Sequence, residues 1–268
     1  MNSRERILTA LRREKPDRPP WMEISFHPQV ASSILGEEIE SEGSGFFPMD
    51  DVKEYEIELS KWIRLAKKID LDALALKLWG PNFAGEKGPG YSGGTIKTLK
   101  GWEKAIASVP DIDDHDCYRC AKVLIKQARK EGIASFLETH FGFENVLESI
   151  GFRDFCTALF RNVNLIEHML DFYAEFYSKV ILHFMKLEPD FIVIGDDLAY
   201  GHGPFISPRQ WKDIFQPRFK KIAEEIKCPW VFHSDGNLLP IMESLLDLGM
   251  NAIHPIEPYG TMDIVEVK

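Results

Sequence analysis

The chain has 268 residues, of which 44% are hydrophobic and 28% are charged, so it has enough apolar residues to bury a core. Its formal net charge of −10 argues against a nucleic-acid-binding surface, because such a surface is basic. Its 4 cysteines do not indicate a disulfide framework, its charged amino terminus lacks the apolar core of a signal peptide, and no apolar run approaches the ~20 residues of a membrane helix. Together these features predict a soluble cytoplasmic protein with no nucleic-acid or membrane partner.

Strand-like and helix-like segments alternate along the chain, with turn residues between them. The clearest helix start is at Ser207, because Pro208 and Gln210 follow it in the pattern of a capping box. In chain order, the sequence first predicts a helix over residues 3–13, a strand over 21–26, a loop over 36–50, a helix over 51–68 and a strand over 71–78. It then predicts an irregular excursion over 81–94, a hairpin strand within 95–109, a helix over 113–130, a strand over 133–139, a short helix ending at 150 and a helix from the capping pair at 164 and 167 to about 184. The last predicted elements are strands over 191–195 and 230–232 on either side of the helix at 207, a helix over 237–248 and a strand over 252–254.

This alternation predicts an α/β fold with parallel strands. The clear strands number about six, whereas a closed TIM (β/α)8-type barrel needs eight. We therefore expect either a fragment of a longer protein or an incomplete barrel. An incomplete barrel exposes two strand edges, which a partner chain, for example in a homodimer, would cover.

Polar and titratable side chains follow several predicted strands at their carboxyl ends, where parallel strands carry their sites. Two aspartates directly follow the buried run at residues 191–195, and we expect at least one of them to face the cavity and take part in proton transfer. The candidate catalytic residues are Asp196, Asp197 and Glu138, and the candidate substrate contacts are Glu23, His27, Lys77, His140, His202 and His254.

Each of these candidates has a structural alternative. Adjacent aspartates often diverge, so one of the pair at residues 196 and 197 would cap the following turn while the other faces the cavity. Glu23 and His27, four positions apart, would share a strand face or form a loop salt link. Lys77 would contact an anion or extend its ammonium group to solvent.

His233 and Asp235 are two residues apart at the end of a strand, so their side chains point the same way. Both are suitable ligands for zinc or another divalent metal ion. The alternative is a hydrogen-bonded pair that orients a substrate. A metal site needs a third ligand, and the candidates that end other strands are Glu138, His140, Asp196 and His254.

Stretches spread over nearly the whole chain resemble the uroporphyrinogen decarboxylase superfamily, which contains the decarboxylases and the cobalamin-linked methyltransferases that act with corrinoid proteins. They read SRERILTALRREKPDRPP, FIVIGDDLAYGHGPFISPRQWKDIFQPRFKKI and VFHSDGNLLPIMESLLDLGMNAIHPIEP. The resemblance implies a (β/α)8 barrel. Because members of this family usually extend beyond position 268, it also implies that residues 1–268 form one barrel domain that lacks its C-terminal β/α units.

The chain departs from the decarboxylases, which resemble one another in an arginine-bearing segment after the first strand. Here that segment reads WMEISFH, so Glu23 would repel the carboxylates of a tetrapyrrole. An aspartate that the decarboxylases carry after the second strand is also replaced, since this place reads LKLW.

The methyltransferase branch typically carries a zinc-binding His-x-Cys-Gly, which here reads HSDG, so that His233 matches and Asp235 replaces the cysteine. The resemblance therefore implies a corrinoid-linked methyltransferase, with metal-assisted O- or S-methyl transfer and a corrinoid carried by a partner protein. In that chemistry Asp196 or Glu138 would protonate the leaving group or complete the metal coordination. Tetrapyrrole decarboxylation is the first alternative, and a non-catalytic barrel that binds a small molecule or a corrinoid protein is the second.

Overall fold

The computed structural model describes residues 1–39, 48–84, 93–113 and 116–267. Parts of the loops predicted at residues 36–50 and 81–94 therefore lie outside the described residues, as does part of the start predicted for the helix over 113–130.

A parallel sheet forms the centre of the fold, as the alternation of strands and helices predicts. Its strands, in their order across the sheet, are β1 (Ala73–Lys77), β2 (Ala134–Thr139), β3 (Phe191–Gly195), β6 (Trp230–His233) and β7 (Ala252–His254). A separate hairpin pairs β4 (Ala199–Tyr200) with β5 (Gly203–Pro204). Strands β1 to β3 are buried along their whole length, which explains their nearly continuous apolar sequences.

Helices fill most of the connections between the strands. The capping box predicted at Ser207 is present, with the Gln210 side chain accepting from the backbone of Ser207. The α-helices are α1 (Ser3–Leu11), α2 (Pro28–Leu35), α3 (Val52–Ile69), α4 (Leu99–Ile106), α5 (Cys117–Lys130), α6 (Phe143–Ile150), α7 (Phe152–Arg161), α8 (Val163–Leu187), α9 (Pro208–Gln210), α10 (Gln216–Ala223), α11 (Met242–Leu246) and α12 (Ile264–Val267). A π-helical turn (Trp211–Phe215) joins α9 to α10, and short 3₁₀ turns cover Leu239–Ile241 and Pro258–Gly260.

The predicted first strand at residues 21–26 is wrong, because this segment has no regular strand structure. Within the described residues, its backbone link to the start of β1 is a single hydrogen bond, from Asp72 N to the Trp21 carbonyl at 2.7 Å. The prolines at 19 and 20, immediately before it, lack the N–H groups that a strand ladder needs.

Three further predictions of local structure need correction. Residues 95–109 contain helix α4 in place of a hairpin strand, because the Thr98 side chain caps it by accepting from Gly101 N. Helix α8 begins at Val163 without a side-chain cap, so residues 164 and 167 lie inside it. The helix predicted over residues 237–248 is broken into a 3₁₀ turn and the short α11, as expected from the proline at 240.

The fold class is therefore α/β with parallel strands, and within the described residues the five-stranded sheet does not close into a ring. No helix among those residues is both long and apolar enough to cross a bilayer.

A buried ion-pair network lies at the amino-terminal edge of the sheet. Asp72, which is fully buried just before β1, accepts from Arg6 Nη1 at 2.5 Å and from Arg18 Nη1 at 2.7 Å. Asp190, just before β3, accepts from Arg4 Nε at 2.7 Å. These pairs tie α1 and the segment that follows it to the sheet, at the edge opposite the predicted site.

Candidate active site at the carboxyl edge

The carboxyl ends of the five parallel strands bring side chains from distant parts of the chain to one edge of the sheet, here called the rim. Lys77 pairs in register with Glu138, and His233 pairs with both Gly195 and His254. Paired residues on neighbouring parallel strands present their side chains to the same face. The rim therefore brings together Lys77, Glu138, His233 and His254, all of which the sequence predicts as site residues.

Asp197, His233 and Asp235 form a group at the rim that could hold a metal ion. One ligand atom from each lies within 4.8 Å of the others. His233 Nε2 is 3.7 Å from Asp197 Oδ1, which is too long for a hydrogen bond and leaves room for a cation between them. The Asp235 N–H donates to Asp197 Oδ1 at 2.8 Å and fixes that carboxylate beside the imidazole. The third possible ligand beside His233 and Asp235 is thus Asp197. It stands in place of the candidates that the sequence suggested, which are Glu138, His140, Asp196 and His254.

The electrostatics of this group suit a divalent cation. Burial lowers the pKa of His233, so its imidazole is neutral near pH 7 and has a lone pair to offer. Burial also raises the pKa of Asp197, and the charge of Asp235 raises it further, whereas a bound cation would favour the ionised carboxylate. One neutral imidazole and two carboxylates form a donor set for zinc or another divalent metal ion.

A second imidazole contacts His233 from the neighbouring strand. The Nδ1 atoms of His233 and His254 are 2.9 Å apart. Burial lowers the pKa of His254, while the charge of Glu23 raises it. Glu23, a predicted substrate contact, is therefore close enough to act on the rim electrostatically.

Lys77 and Glu138 form a buried ion pair beside this group. Lys77 Nζ lies 3.2 Å from Glu138 Oε1, and both side chains are almost fully buried. Glu138 Oε2 is buried and has no hydrogen-bond partner among the described residues. Burial raises the pKa of Glu138 to about 7, although Lys77 and Trp79 oppose this rise. Glu138 can therefore gain or lose a proton near neutral pH.

Gly195 leaves open the space between Glu138 and His233. A Cβ atom at this position would lie 3.5 Å from Glu138 Oε1 and 3.8 Å from His233 Cδ2. The acid and the imidazole therefore face each other across a backbone that carries no side chain.

Asp196 turns away from Asp197 and caps a helix. Its Oδ2 accepts from the N–H groups of Phe141 at 2.6 Å and Gly142 at 2.9 Å, and its Oδ1 accepts from Glu144 N at 2.8 Å. Burial raises the pKa of Asp196 to about 7, although the hydrogen bonds from these N–H groups lower it. This geometry favours the capping alternative over the proton-donor role, although the capped helix is α6 and not the turn that follows Asp196.

His140 and Glu144 form a cluster with Asp196. The Nδ1 atom of His140 is 3.8 Å from Glu144 Oε2 and 3.9 Å from Asp196 Oδ1. Burial lowers the pKa of His140 to about 3, so this imidazole is neutral. Burial raises the pKa of Glu144 to about 9, and the charges of Asp196 and Asp197 add to the rise. Glu144 is therefore protonated near pH 7.

Two predicted substrate contacts lie outside this cluster. His27 is exposed and caps helix α2, where its Nδ1 accepts from Gln29 N at 3.3 Å. The expectation that His27 and Glu23 share a strand face is wrong, because no strand forms there. His202 is exposed in the β4–β5 hairpin, with its ring 6.0 Å from that of Tyr200.

Two residues of the rim were missed by sequence reasoning. Glu144 stands in the first turn of α6, where acidic residues are common beside the helix dipole, so its position carried no functional signal. Gly195 did carry one, because a glycine that ends a buried strand often marks a close approach of another group.

Part of the chain matches a known protein family, and the structure is similar to a solved structure. Residues 145–257 match the family model described as uroporphyrinogen decarboxylase (URO-D). The structure is similar to that of a methyltransferase from Methanosarcina mazei, with a TM-score of 0.65 and 18% identity over 94% of this chain and 75% of that chain. It is much less similar to the carboxyl transferase domain of Rhizobium etli pyruvate carboxylase, with a TM-score of 0.32 and 12% identity over 72% of this chain and 28% of that chain. No curated protein sequence matches the chain.

The fold is thus α/β of the TIM-barrel type, as the likeness to the methyltransferase shows. The predicted resemblance to the uroporphyrinogen decarboxylase superfamily is confirmed, and the matched residues include β3, β6 and β7 of the rim.

Proposed function

We propose that this chain is a methyltransferase-type enzyme of the uroporphyrinogen decarboxylase superfamily, which moves a methyl group between a small molecule and a corrinoid carried by a partner protein. The observation that carries the proposal is the group of Asp197, His233 and Asp235, set beside the buried acid Glu138 at the rim. The similarity of the fold to a methyltransferase supports it.

In this proposal Asp197, His233 and Asp235 hold zinc or another divalent cation. When bound, the cation supplies Lewis acidity that polarises the oxygen or sulfur atom of the reacting small molecule. The Asp235 N–H holds Asp197 in place for this role through its 2.8 Å hydrogen bond.

Glu138 holds the proton that the reaction needs. Its Oε1 is fixed by Lys77 at 3.2 Å, and its buried Oε2 is the atom that gives a proton to a leaving oxygen or sulfur, or takes one in the reverse direction. A pKa of about 7 suits both directions near neutral pH.

The test measures methyl transfer by absorbance, with methylcobalamin and a panel of thiols in one direction, and with cob(I)alamin and a panel of methyl ethers in the other. We expect activity in one direction with wild-type protein loaded with zinc. Glu138→Gln should lower the rate by roughly 10²- to 10⁴-fold, which is the usual contribution of a general acid or base. Glu103→Gln, on the exposed surface of α4, is the control.

Absence of methyl transfer in both directions, with metal bound, would overturn the proposal. Tight binding of a corrinoid protein without turnover would instead support a non-catalytic binding role.

Tetrapyrrole decarboxylation is the second candidate, because the matching family model carries that description. The charge of the rim argues against it. Lys77 is the lysine whose charge acts on His140 and His233, and it is already paired with Glu138. Other charged side chains that a substrate with many carboxylates would encounter there are those of Glu23, Asp197 and Asp235, which would repel it. Turnover of uroporphyrinogen by the purified protein would make tetrapyrrole decarboxylation the favoured function.

A further inference from the structure

The contact between His233 and His254 constrains where the ring protons lie. A neutral imidazole has one donor nitrogen and one acceptor nitrogen. Two Nδ1 atoms 2.9 Å apart cannot both carry a proton, so one of them donates and the other accepts. The pair therefore has two arrangements, which differ in the proton on His233 Nε2.

These arrangements differ in what they present to Asp197 and Asp235. If His254 donates, His233 keeps its proton on Nε2, which then faces Asp197 Oδ1 at 3.7 Å and is blocked as a ligand. If His233 donates from Nδ1, its Nε2 carries a lone pair toward the two carboxylates. A lone pair facing carboxylates is unfavourable unless a cation lies between them, and a metal ligand needs that lone pair.

We propose that His254 is a positioning residue, which accepts the Nδ1 proton of His233 and so holds the tautomer whose Nε2 binds a divalent cation together with Asp197 and Asp235. This inference rests on the metal site of the proposed function. It adds that the metal affinity depends on a hydrogen-bond acceptor at position 254, which is not itself a ligand.

The position of His254 is fixed by the sheet. His233 and His254 are register partners on β6 and β7, and Ser234 N donates to the His254 carbonyl at 3.0 Å. When His254 accepts at Nδ1, its own proton lies on Nε2.

The experiment is a titration with Co²⁺, followed by its d–d absorption, on wild-type protein and on two variants of similar size. His254→Asn keeps an acceptor oxygen near the place of Nδ1, whereas His254→Leu has none. We expect His254→Asn to bind Co²⁺ within about threefold of wild type. We expect His254→Leu to lose roughly 10- to 100-fold in affinity, as is typical when the outer partner of a ligating histidine is removed.

Several results of this titration would contradict the proposed role of His254. Equal affinities in wild type and His254→Leu, or equal losses in both variants, would overturn the positioning role. Failure of wild-type protein to bind Co²⁺ would overturn the proposed metal site and this inference with it. Binding by wild type with an unaffected Leu variant would overturn this inference alone. A ¹⁵N spectrum of the zinc-loaded protein gives a second readout, in which His233 should be protonated at Nδ1.

Discussion

At the scale of single residues, Gly195 decides whether Glu138 and His233 can act on one substrate. We expect Gly195→Ala to change the free energy of unfolding by less than about 1 kcal/mol, because the new methyl group makes ordinary contacts at 3.5 and 3.8 Å. The same methyl group fills the space between the acid and the imidazole, so the methyl-transfer rate should fall. Denaturant unfolding and the absorbance assay measure the two effects.

The control for this substitution is Gly101→Ala in helix α4, which should leave the rate unchanged. Unaltered activity in Gly195→Ala would mean that substrate does not lie between Glu138 and His233.

The pH dependence of the reaction tests the role of Glu138. Because burial raises the pKa of Glu138 to about 7, its carboxyl group is protonated below that pH and loses the proton above it. If Glu138 donates a proton, the wild-type rate falls as pH rises through about 7, and this fall is absent in Glu138→Gln. A pH–rate profile of both proteins is the measurement, and an unchanged inflection in the variant would assign the titration to another group.

Several rim residues were predictable from sequence because two simple rules act there. Parallel strands end at one edge, and alternate residues share a face, so Lys77, Glu138 and His233 could be expected together. The role of Asp196 could not be found in this way. Its partners are backbone N–H groups that follow the neighbouring strand, and backbone groups leave no mark in the residue pattern.

At the scale of elements, the Asp196 cap determines how helix α6 starts after β2. Removal of a buried carboxylate that accepts three backbone N–H groups leaves those donors unsatisfied. We expect Asp196→Ala to lower the free energy of unfolding by roughly 2–4 kcal/mol, and Asp196→Asn by less, because one acceptor oxygen remains. Urea denaturation followed by circular dichroism gives these values.

Asp197→Ala provides the matched comparison, because among the described residues this neighbouring carboxylate accepts one backbone N–H, from Asp235. Its cost should be clearly smaller than that of Asp196→Ala. Equal costs would argue that Asp196 does not support the helix.

A strong local signal and the need for tertiary pairing explain one correct prediction and one wrong one. The capping box at Ser207 lies within four consecutive residues, so the start of α9 could be identified. The segment at residues 21–26 has an apolar sequence typical of a strand, but a strand also needs a neighbour to pair with. In the structure its pairing with β1 is limited to the Asp72–Trp21 bond, which sequence alone does not reveal.

At the scale of the whole molecule, one edge of the sheet contributes to stability and the other carries the candidate site. The amino edge carries the buried ion pairs of Asp72, whereas the carboxyl edge carries the candidate site. We expect Asp72→Asn to lower the free energy of unfolding by roughly 1–3 kcal/mol, because Arg6 keeps its ion pair with Asp17 but loses the buried carboxylate of Asp72. The affinity for Co²⁺ should be unchanged in the folded variant.

Asp154→Asn is the control, because its ion pair with Lys97 is half exposed and solvent screens it, so its loss should change the free energy of unfolding far less. A loss of Co²⁺ affinity in folded Asp72→Asn would show that the two edges are coupled.

The buried carboxyl groups of the rim also make global stability depend on pH. Burial raises the pKa of Glu144 from 4.5 to about 9, so the folded state binds this proton more tightly than the unfolded state. The stability contributed by Glu144 is therefore present below about pH 4.5 and is lost as pH rises toward 9. We expect Tm to fall between pH 6 and 9 in the metal-free protein, and to fall less in Glu144→Gln. An identical slope in both proteins would contradict this assignment.

The most direct test of the account is equilibrium dialysis with Zn²⁺ of wild-type protein, Asp197→Asn and the neighbouring variant Asp196→Asn. We predict about one ion bound per chain of wild type, at least about tenfold weaker binding in Asp197→Asn, and nearly normal binding in folded Asp196→Asn. No binding by wild type, or binding that does not depend on Asp197, would contradict the proposal that Asp197, His233 and Asp235 form a metal site.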